Sequence, residues 1–281
     1  MTSPLPKIAT RIWLHDRRIG NFGDALNLVL LRSLGFEATD SQALETVNRG
    51  RCLFAIGSVI SDWHIQRSAR EIDVWGSGWR GEPIAGELIP RLTIHAVRGP
   101  RTAAALGCLG VPLGDPALLM PRFHPAPQRS GKGTALLVPH YFERRTPAPA
   151  AVGCNAVLRP RVRQRGRWIG WSLPTPLEFV DQIATADFVL TGALHGAIIA
   201  QAYGVPWAAW SGSTIDCPTK WLDWFDYLGI EGAHVADRRA GERWWQHIGS
   251  QGQLRPLEPL LHSFPYTTIR HGTSPGANSP A

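Results

Sequence analysis

The sequence predicts an α/β protein built as two domains facing each other across a cleft, and three observations carry that reading. The chain has 281 residues, more than most single cores use and enough for two domains of ordinary size. Short apolar runs alternate with glycine turns and helical spacings, the pattern of a parallel sheet with covering helices. The segment H-P-A-P-Q-R-S-G-K-G at 124–133, rich in proline, glycine and polar residues, then reads as the linker between two such stretches. The expected domains are 1–123 and 134–265, with a disordered tail over 266–281.

Each element follows in order. Residues 8–15 form a β-rich run and lead into the turn G-N-F-G-D at 20–24. Leu26, Val29, Leu30 and Leu34 then recur at helical spacing until Gly35 ends the pattern. Apolar runs at 52–56, 72–75 and 92–97 read as strands. Their turns are Gly57-Ser58, Gly76-Ser77-Gly78 and Arg98-Gly99-Pro100, and a helical stretch at 102–106 follows the last. Past the linker comes a strand at 134–138 and a helix at 177–186. The most informative segment is D-F-V-L-T-G-A-L-H-G-A-I-I-A-Q-A-Y-G-V-P-W-A-A-W at 187–210. It reads as a strand at 188–190, a turn bracketed by Gly192 and Gly196, a helix at 197–203 closed by Gly204, and a second strand at 205–210. Segments 220–227 and 239–248 have helical patterning.

Composition narrows the function classes. A formal charge of +7 implies attraction to something anionic, without naming it. Arg159, Arg161, Arg163, Arg165 and Arg167 occupy alternate positions, so an extended segment would put them on one face. A solvated basic loop and a functional patch are both consistent with that row. The twelve tryptophans suit sugar stacking, although tryptophan is more often core. Cys52, Cys108, Cys154 and Cys217 lack C-x-x-C spacing, which argues against a disulfide framework or a zinc site. No apolar run is long enough to span a bilayer, and no signal-peptide core opens the chain. The expectation is a cytoplasmic protein.

Several residues could carry chemistry. His195 sits where a strand hands over to a helix, at the carboxyl edge where open α/β sheets bind ligands. The spare N–H groups at that helix end favour an anion. The helix dipole disfavours an imidazolium there, so His195 is a poor choice for stability alone and a plausible acid/base. Asn21, Gly23 and Asp24 form another candidate wall, with Asp24 equally explained as a helix cap. Gly78 and Gly196 belong to the same class of strand-end glycines, where backbone can approach a ligand. Arg98 ends a strand and offers a guanidinium fork suited to carboxylate or phosphate; a surface arginine is the plain alternative. Asp115, in Gly114-Asp115-Pro116, reads as a turn residue. His140 follows a strand and is a weaker acid/base candidate. Lys220, in K-W-L-D-W, either pairs locally with Asp223 or delivers a cation to an anion beside His195. The chain lacks the G-x-G-x-x-G and P-loop signatures, so a dinucleotide or P-loop nucleotide site is weakly supported.

Together these segments resemble the polysaccharide pyruvyl transferase family, and within it the bacterial exopolysaccharide ketal-pyruvate transferases. The matching pieces are N-F-G-D-A-L-N, A-I-G-S, V-W-G-S-G, A-V-R-G-P-R-T, L-G-D-P-A-L-L, V-P-H-Y, A-L-H-G-A-I-I-A, G-V-P-W and K-W-L-D-W, running in family order from about residue 10 to 230. The resemblance implies two Rossmann-like domains in a glycosyltransferase-B-like arrangement. It implies transfer of pyruvate from phosphoenolpyruvate to two hydroxyls of a sugar, closing a cyclic ketal and releasing phosphate. It also points to Arg98 and His195 as phosphoenolpyruvate contacts. Many relatives carry arginine where this chain has Ala193, so another cation is required, and Lys220 is the candidate. The implied partners are phosphoenolpyruvate as donor, a lipid-linked oligosaccharide as acceptor, and anionic membrane touched by the arginine row; no metal, cofactor or nucleic acid is expected. A sugar-nucleotide-dependent glycosyltransferase and a non-enzymatic basic binding protein are the rival readings.

Overall fold

The computed structural model describes residues 4–12, 19–40, 50–128, 133–163, 173–213 and 215–266. Its first half contains β1 (Lys7–Thr10), β2 (Ile19–Asn21), α1 (Phe22–Ser33), β3 (Glu37–Asp40), β4 (Arg51–Phe54), α2 (Asp62–Gln66), β5 (Glu71–Ser77), β6 (Leu92–Val97), α3 (Pro100–Ala105) and α4 (Met120–Phe123). The second half contains β7 (Ala135–Val138), β8 (Ala156–Val157), β9 (Arg161–Arg163), α5 (Pro176–Ala184), β10 (Phe188–Thr191), α6 (Leu194–Ala202), β11 (Trp207–Trp210), α7 (Pro218–Leu228), β12 (His234–Val235), α8 (Arg238–His247) and α9 (Glu258–His262).

Two five-stranded parallel sheets result, ordered β3-β1-β4-β5-β6 and β12-β11-β10-β7-β8. Both halves are therefore α/β and Rossmann-like, as the alternation of motifs predicts. In each sheet the chain begins near the middle, runs outward, then returns to build the other side. Strand direction of travel reverses between β1 and β4 in one sheet and between β7 and β10 in the other. Such switch points leave a crevice outside the carboxyl ends of the strands. A third sheet, the antiparallel pair β2–β9, joins the halves directly. Arg161 and Arg163 flank the fully buried Val162 on β9, so the alternate spacing does place them on one face. Arg165 and Arg167 lie outside the described residues.

Several element ends differ from expectation for local reasons. β4 stops at Phe54, not residue 56, because the Asn27 side chain captures the next backbone group. Its Oδ1 accepts from Ile56 N at 2.9 Å and its Nδ2 donates to Ile56 O at 2.9 Å. α6 starts three residues earlier than expected. The Thr191 hydroxyl donates to Ala193 O at 2.8 Å and accepts from Ala193 N at 3.1 Å, which closes the turn and lets the helix begin at Leu194. The cap of α1 is Asn21, whose side chain accepts from Gly23 N; Asp24 is not the cap but a residue of the first turn. The short strands β3, β8 and β12 are additions that apolar patterning did not signal.

Among the described residues the tryptophans are mostly core. Trp75, Trp207, Trp221 and Trp224 are among the largest fully buried side chains. Trp207 lies within 5.4 Å of Trp244 and 6.2 Å of Trp245 between ring centroids. Trp168 and Trp171 are outside the described residues. The C-terminal segment returns to the first half: Trp75 Nε1 donates to Leu260 O at 2.8 Å, and Tyr266 donates to the buried Asp73 at 2.9 Å. All four cysteines are free. Among the described residues, no helix is long and apolar enough to cross a membrane.

Replacing Trp75 with Phe removes one of the two donors to Leu260 O, the Ser263 hydroxyl remaining at 2.8 Å, and should cost about 0.5–1.5 kcal/mol, the net worth of one hydrogen bond. Urea denaturation measures this, and limited proteolysis should show earlier cleavage around α9. Unchanged stability with unchanged proteolysis would show that this tie does not hold the segment.

Candidate functional site

A cavity of about 400 Å³ opens where the two switch points meet. The first half supplies Asn21, Gly23 and Asp24 from the start of α1, Gly57 and Ser58 after β4, and Trp63, His64 and Arg80. The second half supplies His140 after β7, Ala193 to His195 at the start of α6, and Asp216 and Lys220 around the start of α7. The cavity thus gathers Asn21, Gly23, Asp24, His140, His195 and Lys220 from distant parts of the chain.

His195 is held on two sides. Its Nε2 lies 3.3 Å from Asp115 Oδ2, and Asp115 is fully buried. The other carboxylate oxygen of Asp115 accepts from Ala117 N at 3.0 Å, so the turn role and the histidine contact coexist. Sequence reading found the first and missed the second, because Asp115 and His195 are 80 positions apart. With Nε2 turned to Asp115, Nδ1 faces Gly23, where an added Cβ would stand 2.2 Å away. Glycine is required there by the imidazole, not by a bend in the chain. α6 has no side-chain cap at Ala193, which leaves its first N–H groups and positive dipole end directed at the cavity.

Lys220 pairs with Asp216, not with Asp223. The Nζ–Oδ2 distance is 2.9 Å, and His140 Nε2 lies 3.5 Å from the same ammonium. Asp223 points away from Lys220 and takes other partners. Burial lowers the Lys220 pKa, against the opposing pull of Asp216. For Asp216, burial works to raise the carboxylate pKa, but Lys220 and Arg80 outweigh it and hold it below its ordinary value. Burial, followed by the Lys220 charge, pushes His140 down to about 4. His140 is therefore a neutral imidazole at pH 7. Its Nδ1 accepts from Phe142 N at 3.3 Å, which occupies the nitrogen a general base would use.

Arg98, Gly78 and Gly196 do not line the cavity. Arg98 is fully buried, with Nε 3.3 Å from Asp223 and an Nη1 that donates to Ser58 Oγ at 2.6 Å. Only Ser58 of that chain faces the cavity. Gly78 makes room for the guanidinium, since a Cβ there would lie 2.1 Å from Arg98 Cζ. Gly196 lets α6 approach β10: its Cβ would meet Thr191 Oγ1 at 2.5 Å. Arg80, Trp63, His64 and Asp216 are cavity residues that sequence reading did not single out. Their local sequences carry no motif, although Ser58 and Gly81 nearby bracket the turns that present them. Among the described residues, no group of three or more His, Cys, Asp or Glu side chains is arranged to hold a metal ion.

Residues 74–212 match the Polysaccharide pyruvyl transferase family. The chain belongs to that family. The matched region contains Arg98, Asp115, His140 and His195, and ends before Asp216 and Lys220. A curated relative, the succinoglycan biosynthesis protein ExoV of Rhizobium meliloti (strain 1021), is 30% identical over 219 residues. That alignment covers 75% of this chain and 62% of the relative, so the chain spans less than two thirds of the relative's length. Membership in a pyruvyl transferase family agrees with a cavity that sets Lys220, Arg80 and a helix N-terminus beside a carboxylate-paired histidine.

Two outcomes test this geometry. Gly23→Ala should drive the His195 ring off Asp115 while α1 stays folded; a crystal structure of the variant that retains the 3.3 Å contact would contradict the stated role of Gly23. Acid sensitivity follows from His140. Its folded pKa of about 4 lies below the ordinary 6.5, so the unfolded chain binds the proton more tightly, and stability falls as pH drops from about 6.5 towards 4. Each unit of depression corresponds to about 1.4 kcal/mol. His140→Gln should flatten the urea-midpoint profile across that window; an unchanged slope would remove His140 as a source of acid lability.

Proposed function

We propose that this protein is a ketal pyruvyltransferase that moves pyruvate from phosphoenolpyruvate onto two hydroxyls of one sugar in an exopolysaccharide or its lipid-linked precursor. The observation that carries the reading is the His195–Asp115 pair beside the uncapped start of α6, facing Lys220 and Arg80 across one cavity. Phosphoenolpyruvate bears a phosphate and a carboxylate, and a helix N-terminus with two cations suits that pair of anions. Lys220 takes the place of the cation absent at Ala193, and Arg80 assists it. Ligand binding then redistributes the charge that Asp216 now neutralises.

His195, held by Asp115 through Nε2, is the proposed acid that protonates the methylene carbon of the donor. The neighbouring carbon gains oxocarbenium character, and the first sugar hydroxyl adds to it. Asp24, a cavity carboxylate in the first turn of α1, is the proposed acceptor of that hydroxyl's proton. The second hydroxyl then displaces phosphate, whose departure Lys220, Arg80 and the α6 N–H groups assist. Atoms balance: two hydroxyl protons leave the sugar, one is matched by the new methyl hydrogen and the other by protonation of phosphate. Arg98 acts from behind Ser58, fixing the hydroxyl that faces the cavity. The arginine face of β9 is the proposed contact for anionic membrane or acceptor phosphates.

The test is incubation of the protein with phosphoenolpyruvate and lipid-linked oligosaccharide acceptors, following phosphate release and the mass gained by the glycan. His195→Ala should abolish transfer, and Asp115→Asn should lower it by roughly 10²–10⁴-fold, the usual range for acid–base contributions. Lys220→Ala should weaken phosphoenolpyruvate binding by calorimetry. Full activity in His195→Ala would sink the acid assignment, and failure of folded wild-type protein to transfer to any acceptor would sink the reaction.

A further inference from the structure

The cavity has a third histidine, on the first-half wall, and its surroundings determine which proton it carries. Arg11, immediately after β1, is 2% exposed and directs Nε at His64 Nδ1 over 3.3 Å. A guanidinium nitrogen only donates, so Nδ1 must accept, and a neutral ring must then hold its proton on Nε2. The neighbouring Trp63 ring stands nearly perpendicular to the imidazole, with centroids 4.7 Å apart and an angle of 88°. The Arg11 and Arg67 guanidinium carbons lie 5.2 and 4.7 Å from the Trp63 ring centre. This clamp opposes rotation of the ring. Burial, then the charges of Arg11, Arg80 and Arg67, push His64 down to about 3, so it stays neutral throughout the range in which an enzyme works. A histidine locked in this way cannot accept a proton through Nε2; it can only donate a hydrogen bond.

We propose that His64 is a donor-only contact for an oxygen of the acceptor sugar, and that Arg11 is the positioning residue that fixes its tautomer. This rests on the pyruvyl-transfer reading. His195, Lys220 and the α6 N-terminus, on the second-half wall, serve the donor anion; His64 serves the acceptor from the opposite wall. A neutral donor there holds a sugar oxygen without taking its proton. It therefore favours an oxygen that is not one of the two being joined, and leaves deprotonation to Asp24. The half-exposed Trp63 beside it at the cavity gives the sugar an apolar edge to rest on.

The experiment is imidazole ¹⁵N–¹H correlation spectroscopy on the full chain labelled at histidine, with His64→Gln and His195→Gln used for assignment. Without ligand, His64 should show the Nε2–H pattern and no titration between pH 5 and 8. An Nδ1–H pattern, or titration in that range, overturns the tautomer lock. Methyl β-glucopyranoside and methyl β-galactopyranoside are then added separately from phosphoenolpyruvate. At least one glycoside should shift His64 Nε2, and phosphoenolpyruvate should shift His195 but not His64. If phosphoenolpyruvate moves His64 and neither glycoside does, or if no probe moves it, the acceptor assignment fails. A His195 signal indifferent to phosphoenolpyruvate instead points to failure of the transfer reading itself.

Two variants complete the test. Arg11→Met should let the His64 ring populate the Nδ1–H tautomer and raise its pKa only part of the way, since burial is the larger cause of its depression, and Arg11→Lys, which restores a donor with less disturbance, should return the Nε2–H pattern. A folded Arg11→Met protein whose His64 keeps the Nε2–H pattern unchanged overturns the positioning role. In transfer assays His64→Ala should raise the acceptor KM by roughly 3–10-fold, the loss of one hydrogen bond, with the phosphoenolpyruvate KM unchanged; His64→Gln should recover most of it. An unchanged acceptor KM in His64→Ala overturns the contact.

Discussion

The buried carboxylate of Asp223 is the constraint on which the cavity depends, because it binds the helix that carries Lys220 to the opposite half of the molecule. It pairs with Arg98, accepts from Arg101 N and Thr102 N at 2.9 and 3.1 Å, and accepts from the Thr102 hydroxyl at 2.7 Å. Four donors converge on one group that has no exposure to solvent. A buried charge left without such partners is costly, and removing one member of the set leaves the others uncompensated. The start of α3 and the middle of α7 are therefore tied in one relative position. Gly99 belongs to this junction, since a Cβ there would stand 2.4 Å from Asp223 Oδ1. Arg98 in turn holds Ser58, so the lip of the first sheet is fixed by the same group.

On this frame the cavity sorts its histidines by environment. His195 lines the cavity with a carboxylate partner on one side and a glycine neighbour on the other. His140 lies beside Lys220 with its Nδ1 taken by backbone, and His64 has its Nδ1 filled by Arg11. Burial and nearby cations keep the last two neutral. In the proposed reading these three residues of one type take three different roles: His195 the acid, His140 a neutral neighbour of Lys220, and His64 a hydrogen-bond donor. Divergent surroundings of like groups are how a site divides acid, base and binding roles.

Much of the architecture was legible because it rests on local rules. Apolar runs ending in glycine turns marked β4, β5, β6 and β10, an apolar run after the linker marked β7, and helical spacing marked α1 and α7. The start of α6 was placed late because the Thr191 turn that begins the helix carries no periodic signal. Asn21 as the cap of α1 was obscured by Asp24, an equally good capping residue three positions on. At the site, the K-W-L-D-W segment brought out Lys220 and strand-end position brought out His195 and His140; all three reach the cavity. The same rule brought out Arg98, Gly78 and Gly196, which serve packing and a buried network one layer behind. A strand end names the edge where ligands bind, but not whether a side chain there turns outward or inward.

The sequence by itself determined the α/β class, the parallel order of strand, turn and helix, the family, and the histidine at the head of α6. These follow from periodicity, turn chemistry and short ordered motifs, all of which act over a few residues. Tertiary structure alone decided the pairs: Asp115 with His195, Arg11 with His64, Asp223 with Arg98, and Asp216 bridging Lys220 to Arg80. Asp115–His195, Arg98–Asp223 and Arg80–Asp216 join the two halves, and Arg11–His64 joins two elements of the first half 53 positions apart. Lys220 to Asp216 is a one-turn step, but the sequence pointed to Asp223 as the local partner, and burial of Asp223 against the first half left Lys220 the other carboxylate.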